Sequence, residues 1–264
     1  YDVIVFDEAS MLHLSLANML LSAVPDQARL ILLGDADQLA AVDVGSVLAD
    51  LQQVSTLAEN RVNLVTSRRF KEGALIGQMA KFIQAQEPNQ NGAALLETFA
   101  EQVVHPSEIK SVPLQSDMED QIQLEYLPQH MSKQFDRTAY YDKLMLGYQH
   151  YIEVLKSYLT ADEPELWVQH VVKVFDDYRI LAAIRHGALG LTQLNLHVEQ
   201  RLLDALSLQM SKQGDWYVGR PVMMTYNDYQ LGLSNGDIGI CFKRSRDGQS
   251  QFEVYFPSLE KWVP

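Results

Sequence analysis

The chain has 264 residues, enough for one large domain or two small ones, and its 47% hydrophobic and 21% charged residues are typical of a soluble protein with a packed core. No apolar run reaches the roughly eighteen residues of a membrane span, and no signal peptide opens the sequence, so we expect a cytoplasmic protein. The one cysteine, Cys241, excludes an internal disulfide framework and a cysteine-based zinc site.

The net charge of −13 argues at first against a nucleic-acid partner, whose phosphates attract cations. The distribution of the charge weakens that objection. Residues 97–165 carry 13 acidic and 5 basic side chains, whereas residues 166–264 carry 10 of each. Composition alone therefore neither supports nor excludes binding to DNA.

The first part of the chain has the pattern of a strand, a helix and a second strand. Residues 3–6 and 30–33 are continuous apolar runs, as expected for parallel strands whose two faces are both covered by helices. Between them, apolar residues recur at helical spacing from Leu12 to Ala23, and Pro25 ends the helix. This order predicts a parallel sheet. Because the chain begins inside the first strand, we expect it to be a piece of a longer protein.

The middle of the chain, residues 73–178, is predicted to be mostly helical, with polar breaks near residues 87–92 and 106–128. Residues 140–159 carry aromatic and aliphatic side chains at helical intervals, which predicts core packing.

The last part of the chain is predicted to change from αβ to β structure. A strand at residues 178–183 and a helix at residues 192–208 form a third αβ pattern. Beyond them, the pairs Asn235-Gly236 and Asp247-Gly248 predict hairpin turns between short apolar strands, and hence a small barrel or ribbon.

Polar residues follow both strands of the predicted parallel sheet. Asp7 and Glu8 come directly after the first strand, as in a Walker B element, where an aspartate holds Mg²⁺ and a glutamate orients or deprotonates a water molecule. Alone, the pair also fits a helix cap. Gly34 and Asp35 follow the second strand on the same sheet edge, and Gln38 three residues later is suited to contact a terminal phosphate and the attacking water. A polar loop residue without a role is the alternative for Gln38.

Taken together, residues 7–11 (Asp-Glu-Ala-Ser-Met) and 34–39 (Gly-Asp-Ala-Asp-Gln-Leu) resemble motifs II and III of superfamily 1 DNA helicases, in the form typical of RecD, the exodeoxyribonuclease V alpha family. Residues 66–70 (Thr-Ser-Arg-Arg-Phe) resemble motif IV, although Arg68 stands where the family usually has tyrosine. The resemblance implies that Arg69 is the arginine finger, a role that suits a permanently charged guanidinium; a surface ion pair is the alternative.

The resemblance resumes in residues 178–264, where the segment from Trp216 to Gly239 is similar to the part of RecD-like helicases that enters a small SH3-like insertion. Arg220 and Asn227 are candidates for contact with a DNA backbone. Turn geometry is the better explanation for Asn235-Gly236.

The resemblance implies an α/β fold with partial RecA-like (P-loop NTPase) parallel-sheet domains, a helical segment and an SH3-like β insertion. We expect residues 1–70 to be the C-terminal part of the first RecA-like domain, residues 71–177 an acidic helical segment, and residues 178–264 the start of the second RecA-like domain with its insertion. No Gly-x-x-x-x-Gly-Lys-Ser/Thr phosphate loop and no later helicase motif occurs in the sequence, so we expect these residues alone to be inactive.

For the intact protein, the resemblance implies an ATP- and Mg²⁺-dependent 5′→3′ helicase that moves along single-stranded DNA with RecB and RecC, in double-strand-break repair and recombination. One alternative is a free-standing superfamily 1B helicase. Another is a catalytically inert DNA-binding or docking module. An ATPase that acts on proteins fits the motifs poorly.

Overall fold

The structure, a computed structural model, describes residues 1–38, 43–64, 73–85, 92–94, 97, 137–208, 211–246 and 248–264. The chain divides into two compact units. In the described residues, the first unit runs from residue 1 to 97 and the second from 137 to 264. None of the helices in these ranges combines the length and apolar composition needed to cross a bilayer.

The described part of the first unit contains the predicted strand, helix and strand, followed by further helices. The strands are β1 (Val3–Phe6) and β2 (Arg29–Leu32), and the helices are α1 (Leu14–Ala23), α2 (Val47–Gln53) and α3 (Leu75–Gln84). Short 3₁₀ turns span Ala9–Met11 and Ser55–Asn60. β1 and β2 pair in parallel, with Val3 opposite Arg29 and Phe6 opposite Leu32. The predicted α/β class with a parallel sheet is confirmed.

One face of this sheet is exposed, which corrects the expectation that helices cover both faces. In β1, Ile4 and Phe6 are partly buried, while Val3 and Val5 are 51% and 55% exposed. Ile31 lies opposite Val5 on the same open face. A continuous apolar run makes both faces of a strand suitable for burial, but burial also requires an element on each side. In the described residues only one side has partial cover.

The second unit begins with a series of helices. They are α4 (Arg137–Met145), α5 (Gln149–Thr160), α6 (Val168–Phe175) and α7 (Leu191–Leu206), with 3₁₀ turns at Leu146–Tyr148 and Pro164–Trp167. The predicted core stripe in residues 140–159 is confirmed, since Tyr141, Tyr151 and Leu155 are at most 2% exposed. The helix predicted at residues 192–208 is confirmed within two residues at each end.

The unit ends in a four-stranded antiparallel sheet in the order β3-β4-β5-β6. Its strands are β3 (Pro221–Met223), β4 (Ile238–Arg246), β5 (Gln249–Phe256) and β6 (Lys261–Val263). β4 and β5 form a hairpin in which Arg246 pairs with Gln249, at the position predicted from Asp247-Gly248; Asp247 lies outside the described residues. Gly236 has the positive φ of a turn residue, 91°. Its turn lies at the end of the long loop between β3 and β4 and is not a tight hairpin turn.

Helices and sheet of the second unit share one hydrophobic core. Leu155 and Val171 from the helices pack in the same cluster as Ile240 and Phe242 from β4. The lone cysteine, Cys241, is buried in a neighbouring cluster with Leu233. The main core thus spans the predicted boundary between residues 177 and 178, and the three-segment division of the chain stays a prediction.

The strand predicted at residues 178–183 is wrong. The segment is irregular, and Leu181 is 93% exposed. An apolar run becomes a strand only where a neighbouring strand satisfies its backbone groups. In the described residues no strand pairs with this segment.

Candidate functional site

The ends of β1 and β2 lie side by side, and backbone hydrogen bonds continue past both strands. The Leu33 N–H donates to the Phe6 carbonyl at 2.9 Å, and the Ala9 N–H donates to the Leu33 carbonyl at 2.8 Å. Motif II leaves the sheet between Phe6 and Ala9, and motif III leaves it directly after Leu33. The parallel pairing therefore brings the two motifs to the same sheet edge, as the sequence predicts.

Gly34 permits this close approach. A Cβ atom at this position would lie 3.0 Å from both the Ala9 and the Ser10 backbone nitrogens, and 2.9 Å from the Leu48 Cδ2 atom. Two of these neighbours are backbone atoms of a turn, which cannot rotate away. Gly34 is thus needed for packing at the junction of the two motifs, which is a more specific role than the sequence indicated.

Asp7 and Glu8 form a tight turn at the end of β1. The Asp7 Oδ1 atom accepts the Glu8 N–H at 2.9 Å, and Glu8 itself has the left-handed conformation, with φ 54° and ψ 42°. Both side chains are exposed at the sheet edge, whereas the next residues, Ala9 and Ser10, are buried. The turn therefore anchors the backbone and leaves two carboxylates in solvent.

Asp35 organises the turn after β2. Its Oδ1 atom accepts the Asp37 N–H at 3.1 Å, and its Oδ2 atom accepts the side-chain amide of Gln38 at 3.2 Å. The Gln38 N–H also donates to the Asp35 carbonyl at 3.2 Å. Gln38 is therefore held to Asp35 within the motif III turn, and its exposed side chain lies at the same sheet edge as Asp7 and Glu8.

The Gln38 side-chain amide N–H can donate to a phosphate, and the oxygen atoms at this edge fit a magnesium ion. They are carboxylate and amide oxygens, which Mg²⁺ prefers, and a protein site for this ion commonly supplies only one or two carboxylates. In the described ranges no group of three or more His, Cys, Asp or Glu side chains suits a metal. Asp7 as the single metal ligand stays a prediction.

His13 is a residue that the sequence did not single out. Its Nδ1 atom caps α1 by accepting the Leu16 N–H at 3.3 Å, and its Nε2 atom lies 3.7 Å from the Asp43 carboxylate. The neighbouring Leu14 N–H donates to the Val44 carbonyl at 3.0 Å. The start of α1 is thus joined to the chain that follows motif III. Histidine is an uncommon helix cap, so the sequence pattern did not predict this cap.

Arg69, the predicted arginine finger, lies outside the described residues, as does the whole predicted motif IV. Leu39, the last residue of the motif III resemblance, also lies outside them. The predicted role of Arg69 therefore stays a prediction.

Arg220 and Asn227 both have partners within the second unit. The Arg220 guanidinium donates to the Asp215 carbonyl and lies 5.7 Å from the centre of the Trp216 ring. The Asn227 Oδ1 atom accepts the Asn235 N–H at 2.8 Å and so stabilises the turn before β4. These contacts give each residue a structural role, and their contact with a DNA backbone stays a prediction.

Described residues of the second unit line cavities on its surface. A cavity of about 220 Å³ is lined by aromatic rings, among them Tyr148 and Tyr217, and by Arg220. Burial raises the pKa of Tyr148 and Tyr217, so these phenols stay protonated and uncharged at neutral pH. A second cavity of about 430 Å³ lies beside the start of α7 and is lined by Arg137, His186 and His197.

Comparison with known proteins agrees with the strand-end motifs. Residues 1–105 match the AAA domain family. The chain is 33% identical over 91% of its length to the RecBCD enzyme subunit RecD of Mycolicibacterium smegmatis, and 28% identical over 93% to that of Haemophilus influenzae. It is 47% identical over 92% of its length to the ATP-dependent RecD2 DNA helicase of Deinococcus radiodurans.

The resemblance to RecD is confirmed. It extends over about nine tenths of the chain, and therefore over both units. The chain spans 36% of the M. smegmatis RecD, 40% of the H. influenzae RecD and 26% of the D. radiodurans RecD2 helicase.

Proposed function

We propose that the protein is an ATP-dependent 5′→3′ DNA helicase subunit of RecD type, which moves along single-stranded DNA with RecB and RecC in an exodeoxyribonuclease V complex. Its role would be double-strand-break repair and recombination. The observation that carries the proposal is the hydrogen bond from the Ala9 N–H to the Leu33 carbonyl, which joins motifs II and III at one sheet edge. The similarity to RecD subunits and to a RecD2 helicase supports it.

In this proposal, each motif residue has a distinct task. Asp7 holds the magnesium ion, and Glu8 orients the attacking water and accepts its proton. Gln38 contacts the terminal phosphate and the water through its amide, with Asp35 and Gly34 shaping its turn. Arg69 stabilises negative charge as the phosphoryl group is transferred. Bound Mg²⁺ would neutralise part of the negative charge of the ATP phosphates.

The proposal also covers the two finer features of the fold. The four-stranded antiparallel sheet β3-β4-β5-β6 would be the SH3-like insertion, and α7 would belong to the second RecA-like domain. Arg220 and Asn227 would border a DNA path on that insertion. The division into residues 1–70, 71–177 and 178–264 is proposed on the same basis.

The experiment that tests the proposal replaces Glu8 by glutamine in the full-length protein. Loss of a general base lowers turnover by about 10²- to 10⁴-fold, so single-stranded-DNA-stimulated ATP hydrolysis should fall by that factor while ATP binding is retained. Glu8 is exposed, so Glu8→Gln should leave the melting temperature unchanged.

Glu59→Gln is the matched control, because Glu59 is an exposed glutamate of the same unit, on the Ser55–Asn60 turn and outside both motifs. Its variant should hydrolyse ATP at the wild-type rate. If Glu8→Gln keeps more than half of the wild-type turnover, the assignment of Glu8 as the base is wrong. If the wild-type protein shows no DNA-stimulated hydrolysis, the helicase proposal fails.

These 264 residues, expressed alone, should not hydrolyse ATP. They contain no Gly-x-x-x-x-Gly-Lys-Ser/Thr sequence, so they lack the backbone amides and lysine that hold the phosphates. Release of inorganic phosphate with and without oligo-dT measures this. DNA-stimulated turnover well above a Glu8→Gln background would contradict it.

A free-standing helicase is the second candidate, and the 47% identity to the D. radiodurans RecD2 helicase favours it. Co-expression with tagged RecB and RecC from the same organism separates the two. A RecD-type subunit should co-purify with both at constant stoichiometry. A free-standing helicase should purify alone and unwind DNA without them.

A further inference from the structure

Apart from a tyrosine, the ionisable side chains that line the cavity of about 430 Å³ beside the start of α7 are all basic among the described residues. Two basic groups come from separate elements, Arg137 from the first turn of α4 and His186 from the loop before α7, and a third, His197, lies on α7 itself. No Asp or Glu is among the described residues that line it. In a protein with a net charge of −13, such a cavity is an unusual local environment.

The acidic side chain of α4, Asp142, already has a partner. Asp142 on α4 pairs with Arg201 of α7, with 2.8 Å between Oδ1 and Nε. The Arg201 guanidinium also lies 5.4 Å from the centre of the Tyr141 ring. Asp142 is therefore partly neutralised by Arg201 and offsets the Arg137 charge less.

The walls of the cavity are held in place by the fold. The His197 ring stacks on Tyr141 with 4.0 Å between ring centres, and the Tyr141 hydroxyl donates to the Ala188 carbonyl at 3.1 Å. Below His186, the Gly190 N–H donates to the Gly187 carbonyl at 3.0 Å. A ligand would thus meet a largely preformed surface, which lowers the entropic cost of binding.

Side chains, and not the helix end, provide the attraction. The N–H groups of Leu191 and Thr192 in the first turn of α7 donate to the carbonyls of Ile184 and Arg185, at 2.9 and 3.2 Å. Arg137 is exposed, permanently charged and able to grip two oxygens, and an imidazole donates at least one N–H in either protonation state. These donors suit an anion with several oxygens.

We propose that this cavity, the Arg137 pocket, binds phosphate groups through Arg137, His186 and His197, and that these groups belong to the backbone of single-stranded DNA. The assignment to DNA rests on the proposed function, whereas the affinity for phosphate rests on the pocket alone. A volume of about 430 Å³ lies within the roughly 300–1,000 Å³ of ligand sites and accommodates more than one phosphate. The pocket would fix the strand to the second unit.

The test measures binding of fluorescent oligo-dT to the full-length protein by anisotropy at salt concentrations from about 50 to about 200 mM. This range is wide enough to determine how the binding constant depends on salt. Arg137→Gln should weaken binding about 5-fold and reduce the slope of log K against log salt by about 0.7, the value for one contact on a single strand. His186→Gln removes a donor without removing a permanent charge, so it should weaken binding with a smaller change in slope. Both side chains are exposed, so both variants should fold.

Lys173→Gln is the matched control, because Lys173 is an exposed cation on α6 that does not line the pocket. It should bind oligo-dT as the wild type does. Pyrophosphate titration, followed by calorimetry, distinguishes a free phosphate ligand from DNA. If Arg137→Gln weakens pyrophosphate binding but not oligo-dT binding, the assignment to DNA is wrong. If neither changes, there is no phosphate site, while wild-type helicase activity leaves the proposed function standing.

Discussion

At the scale of single residues, the candidate site contains a strained backbone. Glu8 has a left-handed conformation, which costs a residue with a side chain roughly 1–2 kcal/mol relative to the right-handed one. The hydrogen bonds from the Ala9 N–H to Leu33 and from the Glu8 N–H to Asp7 hold this conformation. Strain of this kind is concentrated at functional sites, where it fixes the direction of a side chain. It agrees with a catalytic role for Glu8.

Gly34→Ala should destabilise the first unit by roughly 1–3 kcal/mol, because the added methyl group overlaps the Ala9 and Ser10 backbone. It should also lower ATP turnover in the full-length protein, since the two motifs would be forced apart. Thermal unfolding and steady-state hydrolysis measure the two effects.

Gly77→Ala provides the control of opposite sign. Gly77 lies inside α3 with nothing within 4 Å of an added Cβ, so alanine should stabilise by roughly 0.5–1 kcal/mol through its higher helix propensity. Equal effects of the two substitutions would show that crowding at Gly34 does not matter.

The sequence predicted the position of these residues but not their conformation. Asp7, Glu8, Gly34 and Asp35 follow apolar runs, and parallel pairing places such residues at one sheet edge. The left-handed Glu8 and the cap formed by His13 depend on contacts with residues distant in sequence. Neither residue type is favoured in its position, so local patterns could not predict them.

At the scale of elements, a buried charge cluster joins β4 and β5 to the turn before α6. Arg244 contacts Glu253 with 3.1 Å between Nη1 and Oε2, and Glu165 with 3.0 Å between Nη2 and Oε1. Its guanidinium also covers the Trp262 ring at 4.2 Å. Glu253 is only 2% exposed, so its charge depends on these partners.

Arg244→Met should destabilise the second unit by roughly 3–5 kcal/mol, because it removes the Arg244 cation from the buried Glu253 carboxylate. Glu165→Gln, at the solvent end of the cluster, should cost at most about 1 kcal/mol. The double variant Arg244→Met with Glu253→Met should recover much of the loss. Urea unfolding followed by circular dichroism measures all three. A double variant that is at least as unstable as Arg244→Met alone would contradict the proposed coupling.

Elements with a strong local pattern were predicted within one or two residues, as β1, β2 and α7 illustrate. The strand expected at residues 178–183 failed because a strand depends on a partner, and the apolar run carries no information about one. The Arg244 cluster could not be predicted either, since its members are separated by 79 and 9 positions in the chain.

At the scale of the whole molecule, the two units should respond differently to alkaline pH. Burial raises the pKa of Tyr158 from 10.0 to about 12 and that of Cys241 from 9.0 to about 11, and it raises the pKa of Tyr151 well above 10.0. All three lie in the second unit. Because the folded state holds these protons more tightly, their contribution to stability is complete below about pH 9 and is lost as pH rises through 11 to 12.

The free energy of unfolding of the second unit should therefore fall between pH 9 and 12. The three tryptophans, Trp167, Trp216 and Trp262, all lie in this unit, so their fluorescence during urea unfolding reports it selectively. Tyr158→Phe should reduce the pH dependence, at a cost of about 1 kcal/mol for the lost hydrogen bond to Lys243.

Tyr226→Phe is the control, because the Tyr226 ring is 64% exposed. It should leave the pH dependence as in the wild type. If the free energy of unfolding of the wild-type protein stays constant from pH 9 to 11, the buried hydroxyl and thiol groups do not determine its loss of stability at alkaline pH.

The sequence predicted the overall class of the molecule better than the grouping of its parts. The parallel sheet and the terminal antiparallel strands follow from local patterns. The shared core of residues 151–255, which joins helices to β4 and β5, depends on which apolar faces meet. Charge distribution indicated an acidic middle segment, but not that Arg137 at its end would lie beside His186 and His197.

The buried position of Cys241 makes the chain convenient for fluorescent labelling. Maleimide dyes react with exposed thiolates, and this thiol is both enclosed and held in its protonated form at neutral pH. A cysteine introduced at an exposed position such as Lys173 would therefore take the dye in preference to the native one. Two such positions, one in each unit, would give a dye pair whose energy transfer reports the distance between the two dyes.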